Sequence, residues 1–85
     1  MTKSAFSDAH QLLVDAIIAA RHEAGLKQSD VAAILGKNQS YVSNIERGER
    51  RIDVLEFYML ARAMKVEPAR LFEQATREFP KAFEV

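Results

Sequence analysis

Apolar residues recur at helical spacing along nearly all of this 85-residue chain, and no stretch alternates apolar and polar residues as a strand would. Only three Gly and two Pro punctuate the pattern, and none of these five lies between Gly48 and Pro68. Helices joined by short connections are the architecture this pattern permits: an all-α chain. The length fits one domain, near the small end of what folds without a staple. There is no cysteine, so neither a disulfide nor a thiolate metal site can supply one. The core must come from many Ala, Leu, Ile and Val, with five Phe and two Tyr.

Five helices are expected. The first runs from about Ser7 or Asp8 to Ala24, with Leu13, Ile17, Ala20 and Ala24 inward and Gly25 as the left-handed residue that ends it. The second covers about Gln28 to Leu35, with Val31, Ala32 and Leu35 inward and Gly36 closing it; Lys27 is a poor N-cap. The third covers about Gln39 to Arg47, capped by Asn38 and stopped by Gly48. The fourth starts at Asp53, which forms a capping-box pair with Glu56, and buries Phe57, Leu60, Ala61 and Met64. The fifth is "EPARLFEQATREF", with Pro68 at its first helical position and Pro80 as its stop. The whole of 1–85 reads as a single domain, with a core over about 8–73, a helix-turn-helix over about 28–47 and a tail over about 74–85.

The third helix has the unusual surface. At about 100° per residue, Gln39, Ser43, Arg47, Ser40 and Asn44 fall on one arc, while Tyr41, Val42 and Ile45 fall on the opposite one. An ordinary solvated face is filled with Lys and Glu; this one is filled with amides and hydroxyls. Gln and Asn can pair with adenine through two hydrogen bonds, and Ser can donate or accept at several base edges. A helix of about eight residues, a glycine turn and a helix with a polar face make the helix-turn-helix unit.

With "QSDVAAILGKNQSYVSNIERGER" followed by "LARAMKVEPARLF", the chain resembles the lambda-repressor-like, XRE-like helix-turn-helix family of small bacterial and phage regulators over about Leu13 to Phe72. The resemblance implies a compact five-helix DNA-binding domain. It implies that Gln39, Ser40, Ser43 and Asn44 read bases. Gln28 matches a glutamine that donates to a phosphate at the N-terminus of the first motif helix, where free N–H groups favour anions. Lys37, Asn38, Arg47, Arg50 and Arg51 lie where the turn and the following loop would face phosphates. Two readings stand for Tyr41: its hydroxyl at a phosphate, or its ring in the core. Arg21 and Glu46 occupy the positions of a structural ion pair in this family. Two positions depart from the pattern: Lys27 replaces a Ser or Thr cap, and Lys65 replaces the glycine after "LARAM", which forces either strain or a different helix end.

The formal net charge is zero, yet it is unevenly spread: −1 over residues 1–25, +2 over residues 26–52 and −1 over residues 53–85. The positive charge sits on the segment expected to face DNA. It is modest, so a shallow salt dependence of binding is expected. One recognition helix reads few base pairs, and a homodimer on two half-sites about 34 Å apart is the usual remedy. Leu55, Tyr58, Met59, Phe72, Phe79 and Phe83 supply more apolar surface than one small core needs, which points to a dimer interface on the fourth and fifth helices and the tail. The alternative is that Tyr58 and the Phe residues only cap the monomer core.

Other classes fit less well. His10 and His22 are twelve apart on different faces of the first helix, with no nucleophile motif and no phosphate-cradling glycine loop, so an enzyme is not expected. No cofactor, metal, small-molecule ligand or membrane span is implied, and a cytoplasmic protein is the default. The partner expected is double-stranded DNA, at a palindromic operator, with repression as the sign of control. The rival is an antitoxin or a restriction-modification controller protein, whose context is another protein; against a pure interaction role stands the reading face, where such a role would expose Leu, Met or aromatic residues.

Overall fold

The computed structural model describes residues 5–82, and side-chain environments from Asp8 onward. Its helices follow in the order α1 (Ala5–Glu23), α2 (Gln28–Leu35), α3 (Gln39–Glu46), α4 (Val54–Ala63) and α5 (Pro68–Thr76). No strand occurs among the described residues. Helix α1 packs along α5 and touches α3, α2 packs on α3 and α4, and α4 closes on α5. One core cluster joins them, centred on Ile17, Val31, Val42, Ile45, Leu60 and Leu71, each almost fully buried. Burying a side chain of this size stabilises the fold by roughly 1.5–3 kcal/mol.

The chain ends its helices by three different devices. After α2, Gly36 takes the left-handed conformation at φ 70°, and the amide of Lys37 donates to the Ala32 carbonyl at 2.8 Å. Carbonyls that the helix end would leave unpaired are thereby satisfied. After α4 the same geometry is made without glycine: Lys65 sits at φ 60°, and the Val66 amide donates to the Ala61 carbonyl at 2.9 Å. Of the two outcomes open to Lys65, strain is the one realised. A side chain in this region costs on the order of 1 kcal/mol. Helix α5 stops at Thr76, whose hydroxyl donates to the Phe72 carbonyl, three residues before the expected end.

The helix starts divide in the same way. Asn38 caps α3 by accepting from the Tyr41 amide, and Asp53 caps α4 by accepting from the Glu56 amide at 2.7 Å. Lys27 offers α2 no side-chain cap, but Asp30 reaches back to accept from the Lys27 amide at 2.8 Å. The weak cap is thus offset by the other half of a capping box. In α1 the inward stripe is set differently from the expectation. Val14 is fully buried beside Ile17 and Ala20, Leu13 is only partly buried against the cluster, and Ala24 lies exposed beyond the helix end. The helix also begins earlier, at Ala5.

Candidate nucleic-acid interface

Helix α3 is held from beneath by Val42 and Ile45, both essentially inaccessible to solvent. Ala32 belongs to the same cluster, where α2 packs on α3. With this apolar side fixed, Gln39 and Ser40 are exposed, while Ser43 and Asn44 are half-buried on the same outer arc. The cap is part of this surface. The Asn38 side-chain oxygen Oδ1 accepts from both the Tyr41 amide and the Ser40 hydroxyl, the latter at 2.6 Å, so its acceptor is engaged within the protein.

Arg47 lies at the far end of the arc, and its guanidinium folds back over it. It donates to the Ser43 hydroxyl and to the Asn44 side-chain oxygen, and it pairs with Glu49 at 3.2 Å. The Asn44 acceptor is therefore engaged within the protein, and pairing with adenine through both amide atoms requires Arg47 to move aside. This exposed pair holds it only weakly.

Behind α3, a chain of hydrogen bonds runs from α1 to the first reading residue. Arg21 Nε donates to Glu46 at 2.6 Å and Arg21 Nη2 donates to its other oxygen at 3.0 Å. Arg21 Nη1 also donates to the Leu26 carbonyl in the α1–α2 turn. Glu46 accepts in addition from Gln28 Nε2 at 2.9 Å, and the Gln28 oxygen accepts from Gln39 Nε2 at 3.3 Å. Burial works against the charged form of Glu46, but the hydrogen bonds from Arg21 and Gln28 outweigh it and hold the carboxyl below its usual range. Gln28 keeps one amide proton beyond those bonds. The sequence placed Gln28 at a phosphate; the structure adds that it joins the ion pair to Gln39.

On the other flank, Tyr41 is half-buried and packs against the core. Its hydroxyl donates to Glu56 at 2.8 Å, and burial followed by that bond raises the phenol's pKa. Arg50 donates to the same Glu56 oxygen and lies over the Tyr41 ring, 5.0 Å from its centroid. The Lys37 ammonium lies 5.3 Å from that centroid. Lys37, Arg50 and Arg51 are all exposed. Glu56 was legible in the sequence only as a capping residue. No local signal ties it to Tyr41 and Arg50, which are 15 and 6 positions away.

The residues expected at a dimer interface lie apart from α3 in the sequence, on α4 and α5. Leu55 is 66% exposed, Phe72 is 56% exposed, and Tyr58 and Met59 are also exposed. Val54, outside the expected set, is the most exposed of the large apolar residues described. Phe72 does rest edge-on against Phe57, with ring centroids 5.9 Å apart, and Arg62 lies over the Tyr58 ring. Phe79 is half-buried, and Phe83 lies outside the described residues. Among the described residues no group of His, Asp or Glu is placed to hold a metal ion, and no helix is long and apolar enough to cross a membrane.

A polar-faced helix held on an apolar anchor, with a glycine turn before it and cations beside it, defines a helix-turn-helix protein. The sequence profile of the family described as Helix-turn-helix matches residues 17–71, and the chain belongs to that family, in its XRE branch. It is 43% identical over 51 residues to a protein of Sinorhizobium fredii named as the uncharacterized HTH-type transcriptional regulator y4dJ. That match takes in 60% of this chain and 66% of the relative, a little under two thirds of the latter's length. An XRE-family-like protein from Pseudomonas syringae pv. tomato superposes with a TM-score of 0.79 at 38% identity, over 86% of this chain and 89% of that one. The restriction-modification controller protein C.AhdI from Aeromonas hydrophila superposes with a TM-score of 0.70 at 30% identity, over 78% of this chain and 96% of that one.

Proposed function

We propose that this protein is a sequence-specific regulator of transcription that binds double-stranded DNA as a homodimer and represses from a palindromic operator. The observation that carries the reading is the outer arc of α3, where Gln39, Ser40, Ser43 and Asn44 stand on the buried Val42 and Ile45. A helix presented this way enters the major groove N-terminal residues first. Gln39, Ser40, Ser43 and Asn44 read base edges. Gln28, Lys37, Asn38, Arg47, Arg50 and Arg51 meet phosphates and fix the register. Arg47 leaves Ser43 and Asn44 as it does so. Tyr41 supports this surface by its ring, because its one hydroxyl proton is given to Glu56.

The exposed row of Val54, Leu55, Tyr58, Met59 and Phe72 supports pairing of two copies, which brings two α3 helices to successive half-sites. A narrower second reading, a restriction-modification controller, is favoured by the likeness to C.AhdI across nearly all of that chain.

The test is a binding isotherm on duplexes changed one base pair at a time. Gln39→Ala and Asn44→Ala should each relax discrimination at one base pair of the half-site, by about 1–3 kcal/mol. Equal weakening on every duplex would instead assign those side chains to backbone positioning and remove the base-reading role.

A further inference from the structure

We infer that Glu56, although a carboxylate beside the proposed phosphate-facing edge, promotes DNA binding by mounting Arg50 in its working position. The inference rests on the DNA-binding reading above. One Glu56 oxygen accepts from both the Tyr41 hydroxyl and Arg50 Nη2. The other accepts from the Asp53 amide at 3.1 Å, which fixes the carboxylate on the first turn of α4. The side chain of Glu56 is only 16% exposed, while that of Arg50 is 45% exposed. The guanidinium is thus held from two directions, by a shielded carboxylate at one nitrogen and by the Tyr41 ring, over which its carbon lies. A guanidinium carries five N–H donors. One is used by Glu56 and the guanidinium also interacts with the Tyr41 oxygen, while at 45% exposure the side chain still presents N–H groups to an outside acceptor such as a phosphate. Holding a long side chain in one geometry before binding removes part of the ordering cost at the moment of binding.

Glu56 thus positions Arg50 without touching the DNA. The sign of its effect is opposite to simple Coulomb reasoning, in which removing a negative charge near phosphates tightens binding. That opposition makes the inference testable with Glu56→Gln, which keeps a side-chain oxygen for the Asp53 amide. Binding of the full chain to a labelled duplex of random sequence is measured against salt, for the wild type, Glu56→Gln, Arg50→Ala and the double variant.

Glu56→Gln is expected to weaken binding about three- to tenfold when Arg50 is present. In the Arg50→Ala background the same change should be neutral or slightly favourable. Arg50→Ala should flatten the log–log salt slope by about 0.9, and Glu56→Gln should move the slope part of the way. Asp53→Ala is the folding control. It removes the α4 cap and lowers the melting temperature but leaves Glu56 on Arg50, so affinity should hold. If Glu56→Gln binds as tightly as the wild type or tighter, or weakens binding equally with and without Arg50, the positioning role is wrong while the DNA-binding reading stands. If the wild type binds no duplex, that reading falls and takes this inference with it.

Discussion

Arg21 and Glu46, 25 residues apart, meet through two hydrogen bonds, and the pair links the end of α1 to the end of α3. Their side chains are only 12% and 6% exposed, so water replaces lost bonds at either group only in part. Replacing Arg21 by Met leaves the shielded Glu46 carboxylate with Gln28 as its remaining donor, and replacing Glu46 by Ala leaves Arg21 with the Leu26 carbonyl but without its ion-pair partner. Each change should lower stability by about 1–3 kcal/mol. For a domain of this size that is a fall in melting temperature on the order of 10 °C, read from a thermal melt. An unchanged melt for Glu46→Ala would show that the pair does not support the fold.

The same pair sets an acid limit. Glu46 is held below its usual pKa, so the folded state binds fewer protons than the unfolded chain as pH falls. Its contribution is complete above about pH 4.3, the unfolded value, and is lost as pH falls through the lower folded value. Melts between about pH 3 and 6 should show a steeper acid decline for the wild type than for Glu46→Gln. Glu56 is depressed too, against burial, by the Asp53 amide, Arg50 and Tyr41, so Glu46→Gln should retain part of the slope.

Lys65 holds a left-handed conformation where glycine would be unstrained. Lys65→Gly should raise stability by about 1 kcal/mol, measured by chemical denaturation, with no change in DNA affinity. A loss of stability would mean that the lysine side chain contributes more than its backbone costs.

Leu55 is mostly exposed, so Leu55→Glu should leave the monomer folded. Sedimentation at tens of micromolar should show a dimer for the wild type and a monomer for this variant. The variant should also lose most of its affinity for a two-half-site duplex while keeping its weak binding to one half-site. A monomeric wild type would remove the proposed interface.

Much of this arrangement could be read from sequence because its causes are local. Asn38 and the Asp53–Glu56 pair set helix starts within four residues, and Gly36 fixes a turn by its backbone alone. The outer arc of α3 follows from periodicity over eight residues. Where the reading fell short, the cause lay further off. Val14, and not Leu13 or Ala24, joins Ile17 and Ala20 among the buried residues because the packing of α5 and α3 against α1 sets the inward direction. Lys65 announced a departure, but only the fold determined that the backbone would bear it. The bonds from Glu56 to Tyr41 and Arg50, and from Gln28 to Gln39, connect elements whose approach is tertiary.

In the proposed complex the α3 arc reads a base sequence twice over, once from each copy. Selection from a pool of random duplexes by the purified protein tests it most directly. Enrichment is expected for a two-fold symmetric site with half-site centres about one helical turn apart, roughly 10 base pairs, or a multiple of that spacing. The enriched preference should weaken at defined positions when Gln39 or Asn44 is replaced by Ala. A pool that emerges unenriched, or a site unaffected by both replacements, would contradict it.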